Sequence, residues 1–183
     1  WIVRMNEAGG LIWQRQYPRG NSGGFEKVLH YRGNYAILAG ASRPSADSGK
    51  PYTGSWLMMV DTGNGEPLWE RFNTEEHSEI SARDLLVHAD GQISVLLNAD
   101  WKGQEPGLGA LSPDMQKSFI RLVTVNGRGV YLESNAYYQG AAASAEMLFE
   151  GIKGERIMTG SVLKDFTVTM HSGPDKGRDK NFQ

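Results

Sequence analysis

Gly20-Asn-Ser-Gly-Gly24 has the Gly-x-Ser-x-Gly spacing that presents a serine nucleophile on a strained turn. Such a serine needs a histidine base held by a carboxylate. Asp84 and His88 follow in the chain, but neighbouring positions on one expected strand are poorly placed for a triad. The pentad therefore reads as a hairpin loop. Ser161-Val-Leu-Lys164 has Ser-x-x-Lys spacing. The enzymes that use it start a helix there, whereas this segment ends a strand-like run. No two of His30, His77, His88 and His171 share a metal-ligand spacing. His30 and His88 take similar places just before a hairpin, which favours structure. Asp61-Thr-Gly-Asn-Gly-Glu66 is the nearest match to a calcium loop. Gly63, Gly65 and Phe72 occupy positions where an EF-hand needs oxygen ligands, so the segment reads as a turn. Glu75, Glu76 and Glu79 surround His77 and read as a solvated charged loop rather than an acid–base pair. Arg4 and Arg121 fall on related positions of related strands and would bind an anion only if they faced a central channel. The sequence thus yields no catalytic residue, no metal ligand and no cofactor site.

Composition excludes more. The chain has no cysteine, hence no disulfide framework, thiolate metal site or cysteine nucleophile. A net charge of −2 over 183 residues argues against the electrostatic footprint of a nucleic-acid binder. No apolar run approaches the ~20 residues of a helical membrane span. Apolar residues at 39% and charged residues at 22% suit a chain with a packed core. Trp1 opens a strand-like run with no signal-peptide pattern, and the expectation is a piece of a longer or processed protein.

The elements that would position any site repeat along the chain. Trp1-Ile-Val-Arg-Met-Asn6, a turn at Gly9-Gly10 and Leu11-Ile-Trp13 recur as Trp56 to Asp61, Gly63 and Gly65, and Leu68-Trp69. They recur again as Phe119 to Thr124, Gly127 and Gly129, and Val130-Tyr-Leu132. The leading aromatics stand 55 and 63 residues apart. A second landmark keeps the phase: the runs beginning at Gly33, Gly91 and Gly154 stand 58 and 63 apart. Self-similarity at a fixed period marks a repeat architecture.

Each unit reads as four strands. In the second they are Trp56–Val60, Glu66–Phe72, Leu85–His88 and Ile93–Asn98, with Asp90-Gly91 as a hairpin turn. Glycine, at 23 positions, supplies these turns. Both faces of Trp56–Val60 are apolar, so the strand is covered on both sides. Repeated four-stranded sheets covered on both faces are how propeller blades stack. The linkers Ser42–Gly54 and Lys102–Lys117 are long and polar, and are read as joining one unit to the next. Ala141–Glu150 has helix-favouring composition, but the repeat phase makes it a strand.

The pattern of aromatic, alternating strand, Asp or Asn, Gly turn and Trp resembles the repeats of bacterial secreted and envelope β-propellers. Asp61-Thr-Gly-Asn-Gly65-Glu-Pro-Leu-Trp69 resembles the Asp-x3-Gly-x3-Trp core of quinoprotein-type repeats. The third unit departs from it, with Tyr131 for Trp and Thr124 for Asp. The resemblance implies an all-β fold: a propeller segment of four-stranded antiparallel blades, three blades and the start of a fourth. Blade one with its linker spans 1–54, blade two with its linker 55–117, and blade three 118–164. Residues 165–183 hold Phe166–Met170, the first strand of a further blade or a ring-closing strand, and a polar tail.

The expected function is a non-catalytic protein-binding or scaffold module of a bacterial envelope or extracellular assembly. The alternative is a quinone- or carbohydrate-acting propeller enzyme whose site needs blades outside this segment. The expected partners are other protein chains or further blades of the same chain, with no nucleic acid and no membrane insertion, in the periplasm or outside the cell. Trp1, Trp13, Trp56, Trp69, Phe119 and Tyr131 are expected at inter-blade contacts. Trp101 stands outside the repeat phase and is the candidate partner contact.

Overall fold

Alternating apolar residues between glycine turns form strands throughout the computed structural model, which describes residues 1–18, 22–43, 53–73, 78–101, 118–138, 143–152, 154–162 and 169–171. The strands are β1 (Ile2–Met5), β2 (Leu11–Arg15), β3 (Ser22–His30), β4 (Tyr35–Arg43), β5 (Gly54–Asp61), β6 (Pro67–Asn73), β7 (Ser78–Val87), β8 (Ile93–Trp101), β9 (Ser118–Val125), β10 (Tyr131–Tyr138), β11 (Ala143–Glu150), β12 (Arg156–Val162) and β13 (Thr169–His171). The chain is all-β, and no helix occurs among the described residues. Ala143–Glu150 is a strand despite its composition, because pairing with β12 and burial of Ala145 and Leu148 outweigh propensity.

Pairing divides the strands into four antiparallel sheets. Sheet I is β1-β2, sheet II is β3-β4-β5-β6, sheet III is β13-β10-β9-β8-β7, and sheet IV is β11-β12. Six short hairpins join β1–β2, β3–β4, β5–β6, β7–β8, β9–β10 and β11–β12, each with one left-handed glycine.

The sheets stack face to face in chain order. Leu38 and Met58 of sheet II meet Ile2 of sheet I. Ile37, Leu57 and Met59 on the other face of sheet II meet Leu85, Val95 and Phe119 of sheet III. Leu96 and Leu122 on the far face of sheet III meet Ala145 and Leu148 of sheet IV. The central sheets are therefore apolar on both faces, as Trp56–Val60 suggested.

The four strands per unit are present, but the hydrogen-bonded sheets fall half a unit out of step with the sequence divisions 1–54, 55–117 and 118–164. Sheet II joins the last two strands of the first unit to the first two of the second. Sheet III does the same with the next pair of units. A period in sequence has no intrinsic starting point. The polar linkers are accordingly not connections between sheets: one joins β4 to β5 and the other β8 to β9, both within a sheet. The end of Phe166–Met170 also differs from both expectations. β13 pairs with β10 at the edge of sheet III, neither continuing sheet IV nor returning to β1.

Candidate functional site

Neighbouring sheets are joined by a repeated tryptophan dock. Trp13 donates Nε1–H to the Thr62 carbonyl at 2.8 Å, and its ring lies on Gly65. Trp69 donates Nε1–H to the Gly127 carbonyl at 3.1 Å, and its ring lies on Gly129. In each case a glycine in the next sheet's turn leaves room for the indole. Trp56 is buried, stacks on Phe25 at 4.2 Å and donates to Glu70. Phe119 is buried between sheets II and III. Trp1 is the exception among these aromatics: it is 72% exposed. It lies on the face of β1 that no described sheet covers. Trp101 ends β8 opposite Ser78, and its side chain lies outside the described residues.

Tyr131 packs between sheets II and III, and burial pushes its hydroxyl up to about 12, with the Arg71 charge acting the other way. Tyr17 and Tyr137 shift in the same direction through burial. A folded-state pKa above the free value of about 10 contributes stability below pH ~10 that is lost as pH rises towards ~12. By pH 11, Tyr131→Phe is expected to remove about 1–1.5 kcal/mol of this alkaline loss. Urea midpoints at about pH 8 and about pH 11 would measure it. An unchanged difference between the two midpoints would contradict the assignment.

The residues singled out for chemistry do not assemble. Ser22 lies in β3 opposite Arg43, and among the described residues no histidine is hydrogen-bonded to it. Ser161 in β12 bonds Ser144, and Lys164 lies outside the described residues. Asp61 accepts the Gly63 N–H, as a turn requires. Glu75, Glu76 and His77 lie outside the described residues, as does the His171 side chain. Burial acts to raise the Glu79 carboxyl, but bonds with Thr53 and the Arg43 guanidinium, 2.9 Å away, hold it below its usual range. No group of three metal-ligating side chains gathers among the described residues. Arg4 donates to the Thr62 carbonyl, and Arg121 lies over the Phe119 ring. Arg4 thus reaches across to sheet II, and Arg121 lies beside Phe119 in the contact between sheets II and III.

Sequence reasoning missed two clusters. The first is a polar relay. Glu150 Oε1 is 3.3 Å from His88 Nδ1, and His88 Nε2 is 2.8 Å from Ser94 Oγ. Ser94 Oγ is 3.1 Å from Thr124 Oγ1. This is the connectivity of a Ser–His–acid relay. Ser94 is 0% exposed, however, and its hydroxyl is engaged on two sides. The relay ties sheet III to β11 of sheet IV and offers no surface to a substrate. His30 has no such role: it bonds the Gly33 carbonyl within its own hairpin. By its closing bond the counterpart of His88 is Tyr31, since each donates its backbone N–H to the carbonyl four residues on.

The second cluster lies where β3, β7 and β11 come together. Each is the edge strand of its sheet, and β7 touches both others. Each carries a one-residue bulge at the same place. Glu26 is extra between Phe25 and Lys27, Arg83 between Ala82 and Asp84, and Glu146 between Ala145 and Met147. Bulges re-aim a side chain and blunt an edge. Here they aim three charged groups at one cavity of about 350 Å³, lined also by Lys27, Asn98, Ser144 and Ala145. Arg83 Nη1 stands 3.9 Å from Glu26 Oε2, and Lys27 Nζ 3.6 Å from Asp84 Oδ1. Asp84 Oδ2 also accepts the Leu148 N–H, and Asn98 makes two bonds to the Ala145 backbone. The only sequence signal was the period itself, since 26, 83 and 146 keep the repeat spacing. Comparison with family models, curated proteins and solved structures found no match.

Proposed function

We propose that the chain is a segment of a β-propeller, acting as a non-catalytic binding or scaffold module in the periplasm or outside a bacterial cell. The observation that carries this reading is the state of the two ends of the stack. On sheet IV, Ala145 and Leu148 face sheet III, while Met147, Phe149 and Ile157 face outward and are 53%, 41% and 37% exposed. On sheet I, Trp1, Met5 and Leu11 face outward, with Met5 paired to Leu11. Trp56, Val60 and Ile37, at the positions of sheet II that match Trp1, Met5 and Ile157, are buried against a neighbouring sheet. The chemistry of the exposed residues fits one occupant, a further sheet of the same repeat in this chain or another. Uncovered apolar faces of this kind mark interaction surfaces. The envelope setting rests on the resemblance of the repeats to those of secreted and envelope propellers.

The test is sedimentation equilibrium of the chain against Met147→Glu/Phe149→Glu. The chain is expected to associate with rising concentration and the double variant to stay monomeric with an unchanged circular dichroism spectrum. A chain that is monomeric throughout and binds no hydrophobic dye would overturn the docking role of these faces.

A further inference from the structure

We propose that sheets I and IV are the two halves of one sheet, completed by a second copy of this chain, with β12 of one copy pairing antiparallel with β1 of the other. The inference rests on the reading of the stack ends above and names their occupant.

The bulges identify the halves. In sheet II, β3-β4 form one half and β5-β6 the other. β11-β12 repeat the first half: Gly160 stands opposite Ala145, just before the Glu146 bulge, as Gly40 stands opposite Phe25, just before the Glu26 bulge. β1-β2 repeat the second half. Their register shifts between Arg4 and Met5, with Arg4 opposite Trp13, as it shifts between Met59 and Val60, with Met59 opposite Trp69. Among the described residues β12 pairs only with β11, and β1 only with β2. Each half therefore keeps an open edge where sheets II and III have their central pairing, and an unpaired edge is a template for another strand. The two halves of one chain do not meet. Sheets II and III stand between them, and three stacking steps of about 10 Å separate strands that must come within about 4.8 Å to pair.

The central pairing of sheet II supplies the register. There Gly40 pairs with Trp56, Leu38 with Met58 and Ala36 with Val60. Carried over at the bulges, Gly160 meets Trp1 of the second copy, Met158 meets its Val3 and Arg156 meets its Met5. This one pairing covers both exposed ends. Trp56 and Val60 are buried towards the preceding sheet, so Trp1 and Met5 of the second copy lie against sheet III of the first. Ile37 is buried towards the following sheet, so Met147, Phe149 and Ile157 lie against sheet II of the second copy. The turns agree. Gly65 and Gly129 each carry a tryptophan ring from the preceding sheet, whereas a Cβ at Gly9, also left-handed at φ 80°, meets nothing within 4 Å. It is the same dock with the preceding sheet missing. The arrangement is two-fold symmetric, so both shared sheets form together. Sheets II and III of each copy and the two shared sheets make six, within the range of about 4–8 blades that close a propeller. A closed ring leaves no end for a third copy.

The test combines sedimentation equilibrium with disulfide trapping, which the absence of native cysteine keeps clean. The unmodified chain is expected to pass from monomer to dimer and no further. Val3→Cys chains mixed with Met158→Cys chains and oxidised should give a covalent dimer, since strand partners lie within disulfide reach. Ile2→Cys chains mixed with Met158→Cys chains are the register control. One residue of slip turns the side chain to the other face, so the yield should be at least about tenfold lower. Species larger than a dimer would overturn the shared sheet while leaving the ends as docking faces. So would a dimer that bridges no better through Val3 than through Ile2. A chain that stays monomeric and binds a hydrophobic dye would overturn it too, with the faces left open to another occupant. A monomer that binds no dye would overturn both this inference and the docking role it rests on.

Discussion

Gly40→Ala is expected to be among the most damaging single-methyl changes in this chain. A Cβ at Gly40 would stand 1.9 Å from the Gly24 carbonyl oxygen and 2.6 Å from the Phe25 Cα. Both are backbone atoms of the adjacent strand, so no rotamer change relieves the clash. β3 and β4 would have to part beside the Glu26 bulge, where Phe25 and Gly40 are partners. Overpacking that forces backbone to move costs about 3 kcal/mol or more. In a chain of this size that is a fall of about 10 °C in melting temperature. Gly24→Ala is the control, since a Cβ there meets nothing within 4 Å. It should change stability by less than about 1 kcal/mol. Gly160→Ala repeats the clash in sheet IV, at 2.0 Å from the Ser144 oxygen. Thermal melts of the three variants decide the matter. Equal melting temperatures for Gly40→Ala and Gly24→Ala would show that the strands can separate at little cost.

Gly40 and Gly160 also show what the sequence made legible. They close the runs that begin at Gly33 and Gly154, and the spacing of those runs placed strands at the right residues. Glycine at a turn and glycine under a neighbouring backbone look alike in sequence, however, and these two are not turn residues. The strand order within each unit was legible because apolar alternation fixes strands and short glycine turns fix hairpins. Which hairpins pair to make a sheet was not. Trp56–Val60 pairs with Tyr35–Arg43 across a long polar loop, and no local signal distinguishes a long hairpin from a linker between sheets. The half-unit offset follows from that one ambiguity.

The candidate site was illegible for a related reason. A bulge is a property of two strands, and only the pairing of β3 with β4 reveals Glu26 as the extra residue. Read on one strand, Glu26-Lys27, Arg83-Asp84 and Glu146 are ordinary surface charges. The relay through His88 was hidden in the same way, because Glu150 lies 62 residues away on another sheet. Arg4 and Arg121 illustrate the converse. Their matching positions were visible, but the face they take, between sheets, depends on the stacking direction.

Trp69→Ala should cost about 3–5 kcal/mol, because the indole fills the contact between sheets II and III and truncation leaves a cavity there. Three interactions go together: the ring on Gly129, the Nε1–H bond to Gly127 and the Arg71 guanidinium 5.8 Å from the ring centroid. Trp69→Phe keeps part of the packing and loses the hydrogen bond, so it should fall short of the alanine loss. Trp13→Ala removes the corresponding dock between sheets I and II, and its effect should differ in kind. Sheet I has only two strands, and Trp1, Met5 and Leu11 on its outer side are already exposed. It can therefore open locally while sheets II and III stay folded. The Trp13 variant should show faster proteolysis within residues 1–17 with a small change in urea midpoint. The Trp69 variant should show a large midpoint shift. Equal midpoint shifts in the two variants would mean that the chain unfolds as one cooperative stack, with sheet I as firmly held as the centre.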